Sequence, residues 1–162
     1  MRSILRNAVF GLALAAFAAV TTHVSAQSPA PVGAGTWKLN VEKSKFSPGP
    51  APKSITTHFE PAGKGVKWTS TRITGDGKSL ASEFTANYDG KDYPLKGSPT
   101  ADAISLRRID ALTTERINKK EGKVVSTEMR KVAKDGKSYT TTVKGTSAKG
   151  EPIDHLMVFD KQ

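Results

Sequence analysis

Outside residues 1–26 the chain carries two histidines, His58 and His155, and neither stands in a pattern used by catalysis or metal binding. No Gly-x-Ser-x-Gly elbow presents a nucleophile. Zinc sites take three or four His, Cys or carboxylate ligands at recognisable spacing, and this sequence has no cysteine. Asp154 and His155 are adjacent, so on a strand they point to opposite faces and cannot share one ion without distortion. Glycines cluster in turn-like segments and form no phosphate-cradling loop. Glu83, Glu115 and Glu128 stand on separate segments and read as solvated outward faces. The sequence therefore gives no catalytic residue, no metal ligand and no cofactor, and the expectation is a protein that is not an enzyme.

Binding chemistry is the better prospect. One phase of the apolar–polar alternation collects Ile55, Thr57 and Phe59, then Val66, Trp68 and Ser70, then Leu80, Phe84 and Ala86. Further along it collects Ile104, Leu106 and Arg108, then Tyr139, Thr141 and Val143, then Ile153, His155, Met157 and Phe159. A mostly apolar surface with a few polar anchors is what a small-molecule site requires. The candidate ligand-binding residues are Trp68, Phe84, Leu106, Arg108, Tyr139, His155, Met157 and Phe159.

The elements that must position these residues are strands. Segments rich in β-branched and aromatic residues alternate with turn signals. Ten are expected: Thr36–Asn40, Ser54–Glu60, Val66–Ile73, Leu80–Asn87, Tyr93–Lys96, Ala103–Ile109, Thr113–Asn118, Val124–Val132, Ser138–Lys144 and Asp154–Phe159. Between them lie Pro61–Gly65, Gly75–Lys78, Asp89–Lys91, Glu121–Lys123, Asp135–Lys137 and Ala148–Gly150. Asp-Gly pairs supply the positive φ angles of tight hairpins. The three Asp-Gly-Lys copies are unevenly spaced, so they mark recurring hairpin chemistry and not an internal repeat. Only Val41–Phe46 hints at a helix, of one turn at most. Short connections between successive strands make an antiparallel up-and-down meander of about eight to ten strands. Closure into a barrel removes its edges and leaves room for side chains or one small ligand.

Residues 1–26 fit a secretory signal peptide, with Arg2 and Arg6 ahead of an apolar run from Ala8 to Val20 and Val24-Ser25-Ala26 as the cleavage site. The run is shorter than the ~20 apolar residues of a spanning helix, so no transmembrane segment is expected after cleavage behind Ala26. The destination is the periplasm or the exterior, and without cysteine neither a disulfide nor a lipidated cysteine is available there. Residues 27–34, Pro-, Ala- and Gly-rich, read as a flexible lead-in to a single domain over residues 35–162.

The whole chain has a formal net charge of +10, which falls to about +8 when Arg2 and Arg6 leave. Lys64, Lys78, Lys91, Lys123, Lys137 and Lys149 all occupy turn segments, where solvation explains them. No aromatic–basic strand motif for stacking bases is present, so nucleic acid is not an expected partner. Peripheral attraction to an anionic envelope surface is.

Gly35-Thr36-Trp37-Lys38-Leu39 resembles the Gly-x-Trp signature on the first strand of lipocalins and fatty-acid-binding proteins. GTWKLNVEKSKFSPGPAPKS, YDGKDYPLKGSP and the later RRID, NKKEGKVV and KDGKSYTTTVKG segments are also similar to a group of small exported bacterial proteins, mostly described as uncharacterised or lipocalin-like. The resemblance implies a lipocalin-like barrel, with Trp37 closing one end and Arg130, from a late strand, packing across it. It also implies a departure. Where fatty-acid-binding proteins clamp a carboxylate with an Arg-x-Tyr pair on the last strand, this chain has Met157-Val158-Phe159, and the helix-turn-helix lid of that family is missing. A buried carboxylate with no such partner faces a large desolvation cost.

Two functions follow as expectations. The first is a periplasmic lipocalin-like module holding a small, mostly apolar ligand inside the barrel. The alternative is a basic envelope interaction protein with a solid core and no ligand, meeting a protein or anionic glycolipid through its turn lysines and the loop Pro48–Pro52. An open interior favours the first, a filled one the second.

Overall fold

The computed structural model describes residues 31–162. The expected signal peptide, and residues 27–30 of the expected lead-in, lie outside the described residues. The described chain is an all-β meander of ten antiparallel strands forming a nearly closed barrel, with no helix among the described residues. In chain order the strands are β1 (Gly35–Lys45), β2 (Ser54–Ala62), β3 (Gly65–Ile73), β4 (Ser79–Asn87), β5 (Asp89–Pro94), β6 (Ala103–Arg108), β7 (Thr113–Lys120), β8 (Lys123–Val132), β9 (Ser138–Thr146) and β10 (Pro152–Lys161).

The lateral order is β4-β3-β2-β1-β10-β9-β8-β7-β6-β5. The first four strands run out one way from β1, and the last six return to pair β10 with β1. The two free edges, β4 and β5, are successive in sequence, and only Tyr88 separates them. They do not form a hairpin. Closure comes just past β5, where Glu83 and Lys96 exchange backbone hydrogen bonds of 3.1 and 2.9 Å. This bridge ties the two edges together at one point and so limits the open backbone that would otherwise invite aggregation.

Two local expectations are corrected. Val41–Phe46 contains no helical turn, since β1 continues to Lys45. The segment is distorted because β1 advances from Asn40 to Lys45 while β10 moves only from Val158 to Leu156. The extra residues loop out and are tied back locally: Ser44 Oγ donates to the Asn40 carbonyl at 2.6 Å and accepts from the Val158 amide at 2.9 Å. The second correction concerns Asp89-Gly90-Lys91, which is not a hairpin turn. Gly90, at φ 74°, takes an irregularity at the start of β5, where the register against β6 slips between Asp89 and Asp92. The positive φ that serves a hairpin serves a bulge equally well.

The core is the barrel interior. Trp37, Val66 and Ile104 are fully enclosed. Tyr139 is the hub of an aromatic cluster, stacked on Phe159 at 4.6 Å and edge-on to Trp37 at 5.0 Å and Phe59 at 6.1 Å. Residues 31–34 belong to this core: Ala34 donates back to the Pro31 carbonyl to form a turn, and Val32 is only 5 % exposed. That turn plugs one end of the barrel.

Candidate ligand cavity

Inward-facing positions lose their cover from one end of the barrel to the other. On β3 the sequence runs from buried Val66 and Trp68 through half-buried Ser70 to Arg72. On β4 it runs from buried Ala86 and Phe84 to half-buried Ser82 and Leu80. On β8 Val132 and Arg130 are buried, whereas Glu128 and Ser126 are half-buried, and β10 repeats the gradient from Phe159 and Met157 to His155 and Ile153. The barrel is thus closed at the Trp37 end and open at the other.

Small side chains create the space. Ser70 pairs with Ser82 across β3 and β4, and Ser126 and Thr141 face inward from β8 and β9. These cannot fill the bore of a ten-stranded barrel. A cavity of about 570 Å³ results, within the range that takes a drug-sized molecule. Trp68, Phe84, Leu106, Tyr139, His155, Met157 and Phe159, all expected to face a ligand, line it. Arg108 does not. It stands at the last position of β6, and its guanidinium lies over the Tyr88 ring at 4.9 Å. Its register, opposite Thr114 of β7, is that of the inward positions, but it stands past Leu106 at the closed end, beyond the cavity lining.

At the closed end, Trp37 Nε1–H donates to the Gly33 carbonyl at 2.8 Å and Arg130 Nη2 donates to the neighbouring Val32 carbonyl at 2.7 Å. Arg130 Nε also donates to Thr114 Oγ1 at 3.3 Å, and its guanidinium lies 3.9 Å from the Phe59 ring centre and 5.5 Å from that of Tyr139. The cation over Trp37 is Lys161, at 5.4 Å. Burial pulls the Arg130 pKa down from its ordinary value, and burial pushes the Tyr139 phenol above the usual tyrosine range. Tyr139 keeps a partner in Thr57, whose Oγ1 is 2.9 Å from the phenol oxygen.

The middle of the cavity holds a polar constellation absent from the sequence reading. Arg116 Nη2 meets Glu128 Oε1 at 2.5 Å across β7 and β8. Asn118 Nδ2 donates to the same carboxylate oxygen and to Ser126 Oγ, both at 2.9 Å. The Arg116 guanidinium lies over Trp68 at 4.8 Å and over Phe84 at 5.7 Å, two rings that are stacked on each other. Glu128 is therefore an interior carboxylate and not the solvated outward group expected; Glu83 is exposed, as expected for such a group.

No protein-family model matches this chain, and neither do curated proteins or solved structures. The cavity has to be interpreted from its own chemistry.

Nearer the mouth, Arg72 lines the cavity, its guanidinium without a hydrogen bond or ion pair among the described residues. More than a third of its surface stays accessible to water, but it borders an interior space, so the surrounding protein still penalises its charge. Its pKa is lowered by that desolvation, opposed by Glu128 and reinforced by Arg116. His155 shares this region. Its Nδ1 accepts from the Ser47 amide at 3.0 Å, and its ring tilts against Phe46 at 5.4 Å, which ties the proline-rich loop after β1 to the rim. Desolvation first, then Arg72, lowers the His155 pKa from 6.5.

Proposed function

We propose that this protein is an exported, lipocalin-like binding module that takes a small, mostly apolar molecule into the barrel through its open end. The observation that carries this reading is the cavity of about 570 Å³, lined by apolar side chains from strands all around the barrel and stopped at one end by the plug on Trp37. A ligand entering between Trp68, Phe84, Met157 and Phe159 exchanges water contact for apolar contact, worth roughly 25 cal/mol per Å² of apolar surface. The solid-core alternative needs an interior filled by its own side chains, and Ser70, Ser82 and Thr141 leave that interior open. The same cavity weighs against a role resting on surface lysines alone.

Titration with the neutral fluorophore N-phenyl-1-naphthylamine tests the proposal. Saturable one-to-one binding is expected, with a change in Trp68 emission, and is expected to vanish in the doubly filled variant S70F/S82F. Absence of saturable binding to the wild-type protein, or undiminished binding to a folded S70F/S82F variant, would overturn it.

A further inference from the structure

The charges lining the cavity are out of balance. Four cationic side chains, Arg72, Arg116, Lys120 and Arg130, face a single carboxylate, Glu128, among the described residues. Two of the four are accounted for locally. Lys120 stands at the rim 3.6 Å from Asp102, and Arg130 is bound to the plug and covered by Phe59. Arg116 and Arg72 remain, and of the two only Arg116 is paired with Glu128.

Arg116 spends Nη2 on Glu128 and is held flat by Trp68 and Phe84, so its direction is fixed. Its Nη1 makes no hydrogen bond among the described residues and, unlike Nε, is not sealed off from the cavity. Arg72 projects from the same strand as Trp68, four residues closer to the mouth, and among the described residues no carboxylate lies within ion-pair distance of it. An unpaired guanidinium bordering a low-dielectric space is a costly arrangement, and a second guanidinium nearby adds to the cost. The hydroxyls of Ser70 and Ser82 face the same region without a hydrogen-bond partner among the described residues.

We propose that the ligand is an amphiphilic anion, with its apolar body seated towards Trp68, Phe84, Met157 and Phe159 and an oxyanion head, carboxylate or sulfonate, received by Arg72 and Arg116. The inference rests on the cavity-binding reading above and adds charge to it. A head group there supplies the missing counter-charge, and charge-assisted hydrogen bonds to guanidinium are stronger than neutral ones. The clamp differs from one placed on the last strand: its arginines come from β3 and β7, and β10 contributes the apolar Met157 and Phe159. Arg72 and Arg116 line the same cavity together with Trp68, Ser70 and Ser82.

Two fluorophores with the same aromatic body separate the claims. 1-Anilinonaphthalene-8-sulfonate carries the oxyanion, and N-phenyl-1-naphthylamine lacks it. The sulfonate is expected to bind about tenfold more tightly than the neutral probe at low salt. In the R72M variant its affinity drops about tenfold while that of the neutral probe holds. The paired variant R116M/E128M removes the second guanidinium without orphaning the carboxylate and is expected to weaken the sulfonate selectively too. K64M, a loss of exposed surface charge, leaves both affinities unchanged. Decanoate is expected to displace the sulfonate and decanol to do so poorly, which extends the result to carboxylates; displacement by neither restricts the head to sulfonate. If both probes bind equally well, and R72M changes neither affinity, the anion proposal is overturned while the cavity reading stands. If the neutral probe does not bind, the cavity reading itself has failed.

Discussion

Trp37 and Arg130 grip consecutive carbonyls of one turn: the indole N–H takes Gly33 and the guanidinium takes Val32. Neither bond is made within the strands that carry these side chains. Together they fasten residues 31–34 across the barrel end, so the floor of the barrel, behind the cavity-lining Arg130, is a segment that precedes the first strand. The two side chains cooperate by holding the same plug.

Gly33 is the weak point of that plug. It adopts φ +70°, and a Cβ there would stand 2.9 Å from Val132 Cγ2 and 3.5 Å from the Trp37 ring. G33A is therefore expected to cost about 1–3 kcal/mol. Thermal or urea denaturation measures the loss, and acrylamide quenching of Trp37 reports whether the floor has opened. An unchanged midpoint with Trp37 still shielded would mean the turn does not hold the floor.

Glu128 is expected to weaken the binding of anions while helping to hold the barrel. In E128Q the affinity for 1-anilinonaphthalene-8-sulfonate should rise about fivefold, equivalent to about 1 kcal/mol. Thermal stability should fall, because Arg116 keeps its charge and loses its carboxylate. Parallel titrations with the neutral probe check the assignment: an equal change in both affinities would point to altered shape and not to charge.

The two tryptophans should respond differently to a ligand. Trp37 is wholly enclosed, whereas Trp68 lines the cavity against both Phe84 and the Arg116 guanidinium. Emission changes on titration should persist in W37F, provided it folds, and disappear in W68F. Steady-state fluorescence of the two variants decides this, and a ligand response surviving only in W68F would move the site away from the cavity.

Acid should loosen the rim. Burial and Arg72 hold the His155 pKa below 6.5, so on acidification the unfolded chain takes up this proton first. The contribution of neutral His155 is full above pH 6.5 and is lost as pH falls through the folded-state pKa. Protonation also removes the Nδ1 lone pair that accepts from the Ser47 amide. Melting curves from pH 7.5 down to about 5 should show a drop in midpoint that H155Q lacks. Identical pH profiles for the two proteins would exclude His155 as the responsible group.

The strands were legible because Val, Ile, Thr and aromatic residues alternate between turn residues in nearly every segment. Even so, Asp89-Gly90 looked like a hairpin, since glycine reports a positive φ without saying which structure uses it. The seven cavity-lining residues identified from sequence share an apolar phase, and that phase is the visible signal. The constellation on β7 and β8 has none. Thr113 and Thr114 are both buried, and the inward faces there carry Thr114, Arg116 and Asn118 opposite Arg130, Glu128 and Ser126. Strand alternation alone cannot show which side of so polar a segment faces in. Counting back from the Lys120–Lys123 pair at the hairpin also fails, because it sets Arg116 against Thr127. An irregularity between Asn118 and Lys119 shifts the register by one and sets Arg116 opposite Glu128. That slip turned a surface-looking charge pair into the middle of the cavity.

Native mass spectrometry of the protein released gently from its own cells tests the central claim most directly, because it weighs the barrel with its contents. The account predicts a complex that sheds one small molecule on mild activation, and an emptied protein that takes up one N-phenyl-1-naphthylamine. A protein that carries no small molecule as isolated and takes up none of the probe would contradict it.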